Sequence, residues 1–288
     1  HRVLHQAAPA ADLWHLTHQD SPYLPPKRSI PQIMTVHDLN FLKGPTSATR
    51  CRRRLRKLQK KIDRCQYITA ISEASKRDLL AHCQVTVPVE VIYNGVDVVA
   101  PAAEPPRFIG QRPYLLALAE ITPKKRFHLL VNLLAELPDL DLVIAGKNTH
   151  PCVEEIGQQA QRKGCADRLI MPGIVSEAEK SWLYANCEAF CFPSLSEGFG
   201  LPIVEALHFD KPVFASALPA LIEVAAESAY YFTDYDRGAM LATYQAGMAD
   251  YRHNQQRERV RTEKLALYTW ERAAKAYLSV YDKVLSSI

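Results

Sequence analysis

The chain is short of several things, and each shortage removes a class of protein. None of its apolar runs reaches the roughly 20 residues that cross a bilayer as a helix, and the N-terminal His1-Arg-Val-Leu-His-Gln6 holds no signal-peptide core. Its 7 cysteines are odd in number and never spaced C-x-x-C, which indicates neither a disulfide framework nor a structural zinc site and fits a reducing cytoplasm. There are no internal repeats and no low-complexity tracts. One-signed charge is scarce as well: the net +4 is too small to call for a nucleic-acid partner by itself. The initiator methionine is absent, so the sequence is expected to be a fragment or a processed form.

What is present is ordinary globular material, 48% hydrophobic and 23% charged over 288 residues, long enough for two domains. One stretch organises the rest: Ser194-Leu-Ser-Glu-Gly-Phe-Gly-Leu-Pro-Ile-Val-Glu-Ala-Leu207. The apolar run from Ala189 to Pro193 leads into it as a strand. Gly198 and Gly200 then let backbone amides come close to a ligand, and Pro202 suits the first position of a helix. A helix N-terminus offers unpaired N–H groups and a positive partial charge, so a phosphate is its natural ligand, while Glu197 and Glu205 can accept from hydroxyls. Phosphate plus polyol points to a sugar nucleotide. The bland alternative is an ordinary strand-to-helix junction in which Glu205 complements the dipole and Glu197 is a loop acid.

The first segment alternates short strands with helical patterns. Residues 12–16, 31–36, 66–71 and 89–93 are strand-like, rich in β-branched and aromatic residues near turn formers. Such alternation predicts parallel βαβ units whose ligands gather at the carboxyl ends of the strands. His37 stands at one such end. Between the second and third strands, residues 50–64 place Leu55, Leu58, Ile62 and Cys65 at helical spacing, surrounded by Arg52, Arg53, Arg56, Lys57, Lys60 and Lys61. This basic amphipathic helix admits three readings: a solvated face, a surface for anionic lipid or a lipid-diphosphate acceptor, and a nucleic-acid patch, the last unsupported by interleaved aromatics. Ser72 is read as a helix cap, and Ser176, with Glu179 three residues on, as a capping box. Pro101-Ala-Ala-Glu-Pro-Pro106 reads as a linker. Beyond it, residues 114–119 and 140–146 are apolar strands, with Pro123-Lys-Lys-Arg126 opening a helix over 127–137.

In order along the chain, Thr35-Val-His-Asp-Leu39, residues 69–79, Val91-Ile-Tyr-Asn-Gly-Val-Asp97, Gly173–Lys180, Glu197–Glu205, residues 211–224 and residues 268–277 resemble the motifs of retaining glycosyltransferases of the GT-B fold, and among these family 4. The resemblance implies two Rossmann-like domains with parallel sheets facing a cleft. Residues 1–100 would form the acceptor-side domain, 101–112 a linker, 113–267 the nucleotide-sugar domain, and 268–288 a helix crossing back to the first. The family's glycine-rich loop is absent before His37, so the first domain is expected to be incomplete.

The resemblance also assigns roles. Lys125 would meet a donor phosphate, and the backbone of Ile174 and Val175 the base. Gly198, Phe199, Gly200 and Leu201 would cradle the diphosphate. Glu205 would hold the ribose, and Glu197 with His37 would orient the transferred sugar, making His37, Lys125 and Glu197 the catalytic set. Where the family often has an arginine after a strand, this chain has Glu120, so that either a second cation comes from Lys124 or Arg126, or donor choice differs, or activity is weak. The D-x-D spellings at Asp139–Asp141 and Asp234–Asp236, a metal signature in the other glycosyltransferase fold, read as solvated loop acids, and no metal or other cofactor is expected.

The implied function is transfer of a hexose from a GDP- or UDP-sugar to a saccharide or lipid-linked acceptor in bacterial polysaccharide or lipopolysaccharide assembly. The implied setting is cytoplasmic, with Arg53, Arg56, Lys57 and Lys60 as a peripheral contact with anionic membrane at the inner face, and no nucleic acid. Two alternatives stand beside it: a catalytically silent scaffold or binding subunit of the same fold, and a sugar-nucleotide epimerase or phosphorylase.

Overall fold

The computed structural model describes residues 11–25, 27–44 and 46–287, so the stretch His1–Gln6 lies outside the described residues. The chain forms two compact units, one of His1–Gly95 with Leu267–Ile288, the other of Val96–Ala266.

Among its described residues the first unit holds four parallel strands, β1 (Trp14–Leu16), β2 (Gln32–Val36), β3 (Tyr67–Ala70) and β4 (Val89–Val91), side by side in chain order. Every residue of β2 is buried, as a central parallel strand covered on both faces requires. On one face Leu16, Met34, Val36 and Ile68 pack with Leu58 and Ile62 of α1 (Ala48–Ile62) and Leu79 of α2 (Glu73–His82). On the other, Ile33 and Ile92 pack with Ala273, Val280 and Val284 of α10 (Trp270–Leu285). The helical stripe read from the sequence is the buried side of α1: Leu58, Ile62 and the following Cys65 are in the core and Leu55 lies against it. Helix α1 begins two residues ahead of the basic run, because the Ser47 hydroxyl accepts from the Arg50 amide.

The second unit holds six parallel strands, β5 (Tyr114–Leu118), β6 (Asp141–Ala145), β7 (Leu169–Gly173), β8 (Ala189–Phe192), β9 (Val213–Ser216) and β10 (Tyr230–Phe232). Their order is β10-β9-β8-β5-β6-β7. The chain enters at the centre with β5, winds outward to β7, then returns to lay β8 against the other side of β5, pairing Leu115 with Ala189 and Leu116 with Phe190. That is the doubly wound order, and its switch point lies between β5 and β8, where the connections leave in opposite directions and open a crevice at the strands' carboxyl ends. Helices α3 (His128–Leu134), α4 (Cys152–Arg162) and α8 (Arg237–Tyr251) cover one face. The other face is covered by α5 (Glu177–Asn186), α6 (Leu201–His208) and α7 (Pro219–Ala225), with α9 (Gln255–Leu265) outside them.

Three sequence expectations change. The helix expected over 127–137 is the shorter α3: Pro123–Lys125 form a separate 3-10 turn that Arg126, left-handed at φ 51°, divides from the helix, and at the far end the amides of Glu136 and Leu137 turn to the i−3 carbonyls of Leu133 and Leu134. Pro202 occupies the second helical position, after Leu201. Of the acids read as solvated loop residues, Asp141 is not one: it opens β6, buried and 3.7 Å from Arg112. Asp236 is exposed in the loop before α8 and caps that helix by accepting from the amides of Gly238 and Ala239. Residues 101–112 are irregular, and Phe108 and Ile109 pack on the core under α5 and α6.

Candidate functional site

The loops after β5 and β8 meet at the switch point. The Leu195 amide donates to the Lys124 carbonyl at 2.8 Å, joining the two backbones. From this junction Lys125 Nζ reaches Glu197 Oε1 at 2.6 Å, and the same ammonium lies 4.6 Å from the centre of the Phe192 ring. Both side chains are mostly buried, at 16% and 12% exposure, so the pair is shielded from the screening that weakens surface ion pairs.

Arg126, expected as a reserve cation, has another task. Its guanidinium donates to the carbonyls of Pro193 and Ser194 and to Ser216 Oγ, and it stacks 4.0 Å from the Tyr235 ring centre. It fastens the loop after β8 and is spoken for. Glu120, where a cation was expected, lies 3.3 Å from Lys147 at the end of β6, so its charge is met by a neighbouring loop.

After Glu197 the chain turns into α6 through Gly200, whose φ of 114° is open to glycine but strained for other residues. A Cβ there would sit 2.7 Å from Leu221 Cδ2. Helix α6 starts with no side-chain cap, so its positive end is not neutralised by a capping oxygen. Further along the helix Glu205 accepts from Lys180 Nζ at 3.0 Å and from Tyr184 Oη at 2.8 Å. Burial pushes the Tyr184 hydroxyl's pKa well up, and the Glu205 carboxylate adds to it, so the hydroxyl remains a donor. Burial alone would lower the Lys180 pKa, but hydrogen bonds to Glu177 and Glu205 outweigh it and the ammonium is retained. Neither Lys180 nor Tyr184 stands out in the sequence. The signal is nevertheless there: the capping box of Ser176 and Glu179 is present as read, and it fixes the register that puts residues 180 and 184 on one face of α5.

Ile174 and Val175 follow β7 through Gly173, whose φ is 85°; Ile174 is 78% exposed, and Val175 packs partly on the core. The Gly146 amide donates to the Gly173 carbonyl at 2.8 Å, so the ends of β6 and β7 are tied. Lys125, Ile174, Val175 and Glu197–Leu201 thus all follow strands at the carboxyl edge of one sheet, and Glu205 lies a turn further into α6.

His37 belongs to the first unit, at the carboxyl end of β2. Its Nε2 lies 2.9 Å from the Thr17 carbonyl and its ring centre 4.6 Å from that of His18. Its backbone is clamped: the amide donates to Gln19 Oε1, and the carbonyl accepts from Ser75 Oγ. Burial, then the neighbouring His37, lowers the His18 pKa. Arg53, Arg56, Lys57 and Lys60 are exposed on α1. Among the described residues no group of three or more His, Cys, Asp or Glu side chains could hold a metal ion. No helix among them is long and apolar enough to cross a membrane.

Residues 101–259 match the family model described as glycosyl transferases group 1, and residues 2–99 that described as glycosyltransferase family 4. The chain is 27% identical over 210 residues to the O-antigen chain mannosyltransferase RfbU of Salmonella typhimurium, covering 71% of this chain and 57% of that protein. It is 26% identical over 180 residues to the serotype-specific mannosyltransferase WbdA of Escherichia coli, covering 60% of this chain and 22% of that one. The chain therefore spans about a fifth of WbdA and somewhat over half of RfbU. Among solved structures, sucrose-phosphate synthase from Thermosynechococcus elongatus superposes with a TM-score of 0.82 at 18% identity, covering 100% of this chain and 77% of that one. Anabaena HepE, solved with UDP and glucose, superposes with a TM-score of 0.68 at 21% identity, covering 90% and 72%. At such identities the likeness shows the fold, and that fold is GT-B.

Proposed function

The chain belongs to the group 1 glycosyl transferases, and on that premise we propose that it transfers a hexose from a nucleotide-diphosphate sugar to a saccharide or lipid-linked acceptor, with retention of configuration and without a metal. The observation that carries this reading is the Lys125–Glu197 pair at the switch point, beside the uncapped start of α6. A diphosphate entering there meets a cation and a helix N-terminus together, and takes Lys125 from Glu197. Glu197 is then left to accept from hydroxyls of the hexose. As the glycosidic bond breaks, negative charge grows on the leaving oxygens beside Lys125 and the amides of 199–201; charge that is already in place in this way is commonly what lowers an enzyme's barrier most.

Glu205, held by Lys180 and Tyr184, presents its remaining lone pairs to the ribose hydroxyls. Ile174 and Val175 supply an apolar surface and backbone groups for the base. His37 is given the role of orienting the transferred sugar, as the resemblance implies. No side chain here stands out as a nucleophile for double displacement, so departure and attack on one face of the sugar is the expected route.

The relatives support the class of chemistry. RfbU and WbdA are named as mannosyltransferases, and HepE is described with UDP and glucose bound. Both GDP- and UDP-sugars are therefore to be tested. The exposed cations of α1 suit a peripheral contact with anionic lipid at the inner face of the cytoplasmic membrane.

The test is a metal-free calorimetric titration with UDP, GDP, ADP and their common sugars, comparing the protein with Glu197→Ala and Glu205→Ala. Selective binding by one base, weakened about tenfold or more by each substitution as expected for a lost charge-assisted contact, supports the reading. A folded protein that binds no nucleotide sinks it and leaves the scaffold alternative.

A further inference from the structure

The cations of α1 are not spread evenly. The loop after β1 folds back over the helix and borders, with it, a half-open cavity of about 890 Å³. Six cationic side chains line it against two carboxylates, over a floor that includes Leu24 and Leu58. Asp20 is engaged by Arg54 at 2.8 Å, and Asp63 accepts from Gln59. Among the described residues the side chains of Arg28, Lys57, Lys60 and Arg64 have no hydrogen-bond or ion-pair partner. Lys61 is different: its ammonium donates to the carbonyls of Gln19 at 2.5 Å and Ser21 at 2.9 Å. Two of its three N–H groups are thereby used and the head is fixed at the wall, with one donor left for a ligand.

We infer that this cavity is a binding site for a phosphate or diphosphate group, carried by the acceptor. Only the word acceptor rests on the transfer reading; the anion site stands on the cavity itself. A fixed ammonium surrounded by four unpaired cations, with an apolar floor below, fits a phosphate attached to a less polar body better than it fits a carbohydrate alone, which would leave those charges unmatched. Partial burial, with Lys57 nearby, already lowers the Lys61 pKa against the opposing pull of Asp20, and a bound anion relieves that cost. The site is also joined to His37. Gln19, whose carbonyl holds Lys61, is buried, and its side chain bonds the His37 amide and the Asp38 carbonyl. An anion pulling on Lys61 thus acts on the loop that fixes the His37 backbone.

Calorimetric titration of the full chain with sodium pyrophosphate, in a Lys125→Met background that removes the cation at the switch point, tests this. Binding is expected at low ionic strength, weakened by added salt. The Arg28→Gln/Arg64→Gln double variant should lose about tenfold or more in affinity. Arg50→Gln/Arg52→Gln removes the same charge from exposed positions of α1 outside the cavity and should change affinity less than about twofold. Lys61→Met should abolish binding; since it also frees two carbonyls, its fold is checked by circular dichroism, and the Arg28/Arg64 pair decides if it unfolds. No pyrophosphate binding in this background overturns the site. Equal losses from the two double variants also overturn it, since they show diffuse attraction. Binding only to phosphatidylglycerol vesicles and not to pyrophosphate overturns it in favour of a membrane face. Nucleotide binding is measured separately in the protein without Lys125→Met, so failure of the donor site and failure of this one are distinguishable.

Discussion

Tyr184 is fully buried against Phe190 and Phe209, and its one polar atom ends on Glu205. Tyr184→Phe keeps the ring packing and removes that donor. The expected cost is about 1 kcal/mol of stability, as for one hydrogen bond lost beside a retained acceptor. If Glu205 meets the ribose, the same change frees its carboxylate to reorient, and nucleotide affinity should fall about fivefold or more, on the order of 1 kcal/mol. Tyr231 gives the control, since its half-buried hydroxyl donates to the Ala226 carbonyl, away from the proposed site. Tyr231→Phe should cost comparable stability and leave affinity unchanged; equal affinities for both variants would show that Tyr184 is merely structural. Residues of this kind explain where sequence reading stops. Glu197 and Glu205 are legible because they sit in one continuous loop and helix. Their partners Lys125, Lys180 and Tyr184 come from other loops and helices; the resemblance gives Lys125 a role, whereas Lys180 only ends the Gly173–Lys180 segment and Tyr184 lies in no motif. Arg126 looks like a spare cation because nothing in Pro123-Lys-Lys-Arg126 announces a left-handed residue with its guanidinium turned back onto the β8 loop.

At the level of elements β1 to β6 and β8 are visible, since parallel strands covered on both faces read as short apolar runs, and those of β2, β5, β6 and β8 are almost entirely buried. The strands β7, β9 and β10 are not read from the sequence, β7 and β10 being only partly buried and β9 four residues long. Helix caps are visible where the capping side chain is local, as at Ser72 and Ser176. The cavity against α1 is not, because amphipathic spacing separates the inward from the outward side of a helix but does not say which loop will lie across its edge. Three glycines at positive φ, Gly164 after α4, Gly200 before α6 and Gly146 after β6, carry a graded test of how tightly the second unit is built. Gly164 has φ 68° and open space where a Cβ would go, so Gly164→Ala should cost only the left-handed penalty, about 1–2 kcal/mol. Gly200→Ala adds a contact at 2.7 Å with the end of the Leu221 side chain, which can move, and should cost somewhat more. Gly146→Ala would put a Cβ 2.0 Å from the Ala119 carbonyl oxygen, where only backbone can give way. That substitution should cost about 4 kcal/mol or more, within the range reserved for buried clashes. Denaturant unfolding of the three variants should rank them in this order; a mild Gly146→Ala would mean that the ends of β5 and β6 are not as closely packed as described.

The whole chain is threaded so that its second unit is continuous while the first takes strands from the beginning and α10 from the end. A polar chain runs across that first unit: Tyr281 of α10, His15 of β1, Thr35 of β2 and Thr69 of β3, with each consecutive pair at 2.8 Å. A neutral imidazole suits it, offering one donor and one acceptor to hydroxyls that can turn either way. Burial accordingly pushes the His15 pKa down from 6.5 to about 4. The sign follows from which state binds the proton. Below pH 6.5 the unfolded chain protonates this histidine while the fold resists, so the stabilising contribution is full above 6.5 and is lost progressively as pH falls towards 4. The shift corresponds to at most about 3 kcal/mol. His18, His128 and His208 are also lowered, chiefly by burial, so the protein as a whole should weaken in acid, and a substitution is needed to isolate one contributor. His15→Gln retains an amide donor and acceptor but cannot titrate. Chemical unfolding at about pH 7.5 and about pH 4.5, on either side of the window over which the contribution is lost, should show the variant less stable than the parent at the higher pH, with the gap closing at the lower. A gap of constant size would mean that the parent's histidine is already free to protonate when folded, and that the packing of α10 across β1 and β2 does not hold it neutral.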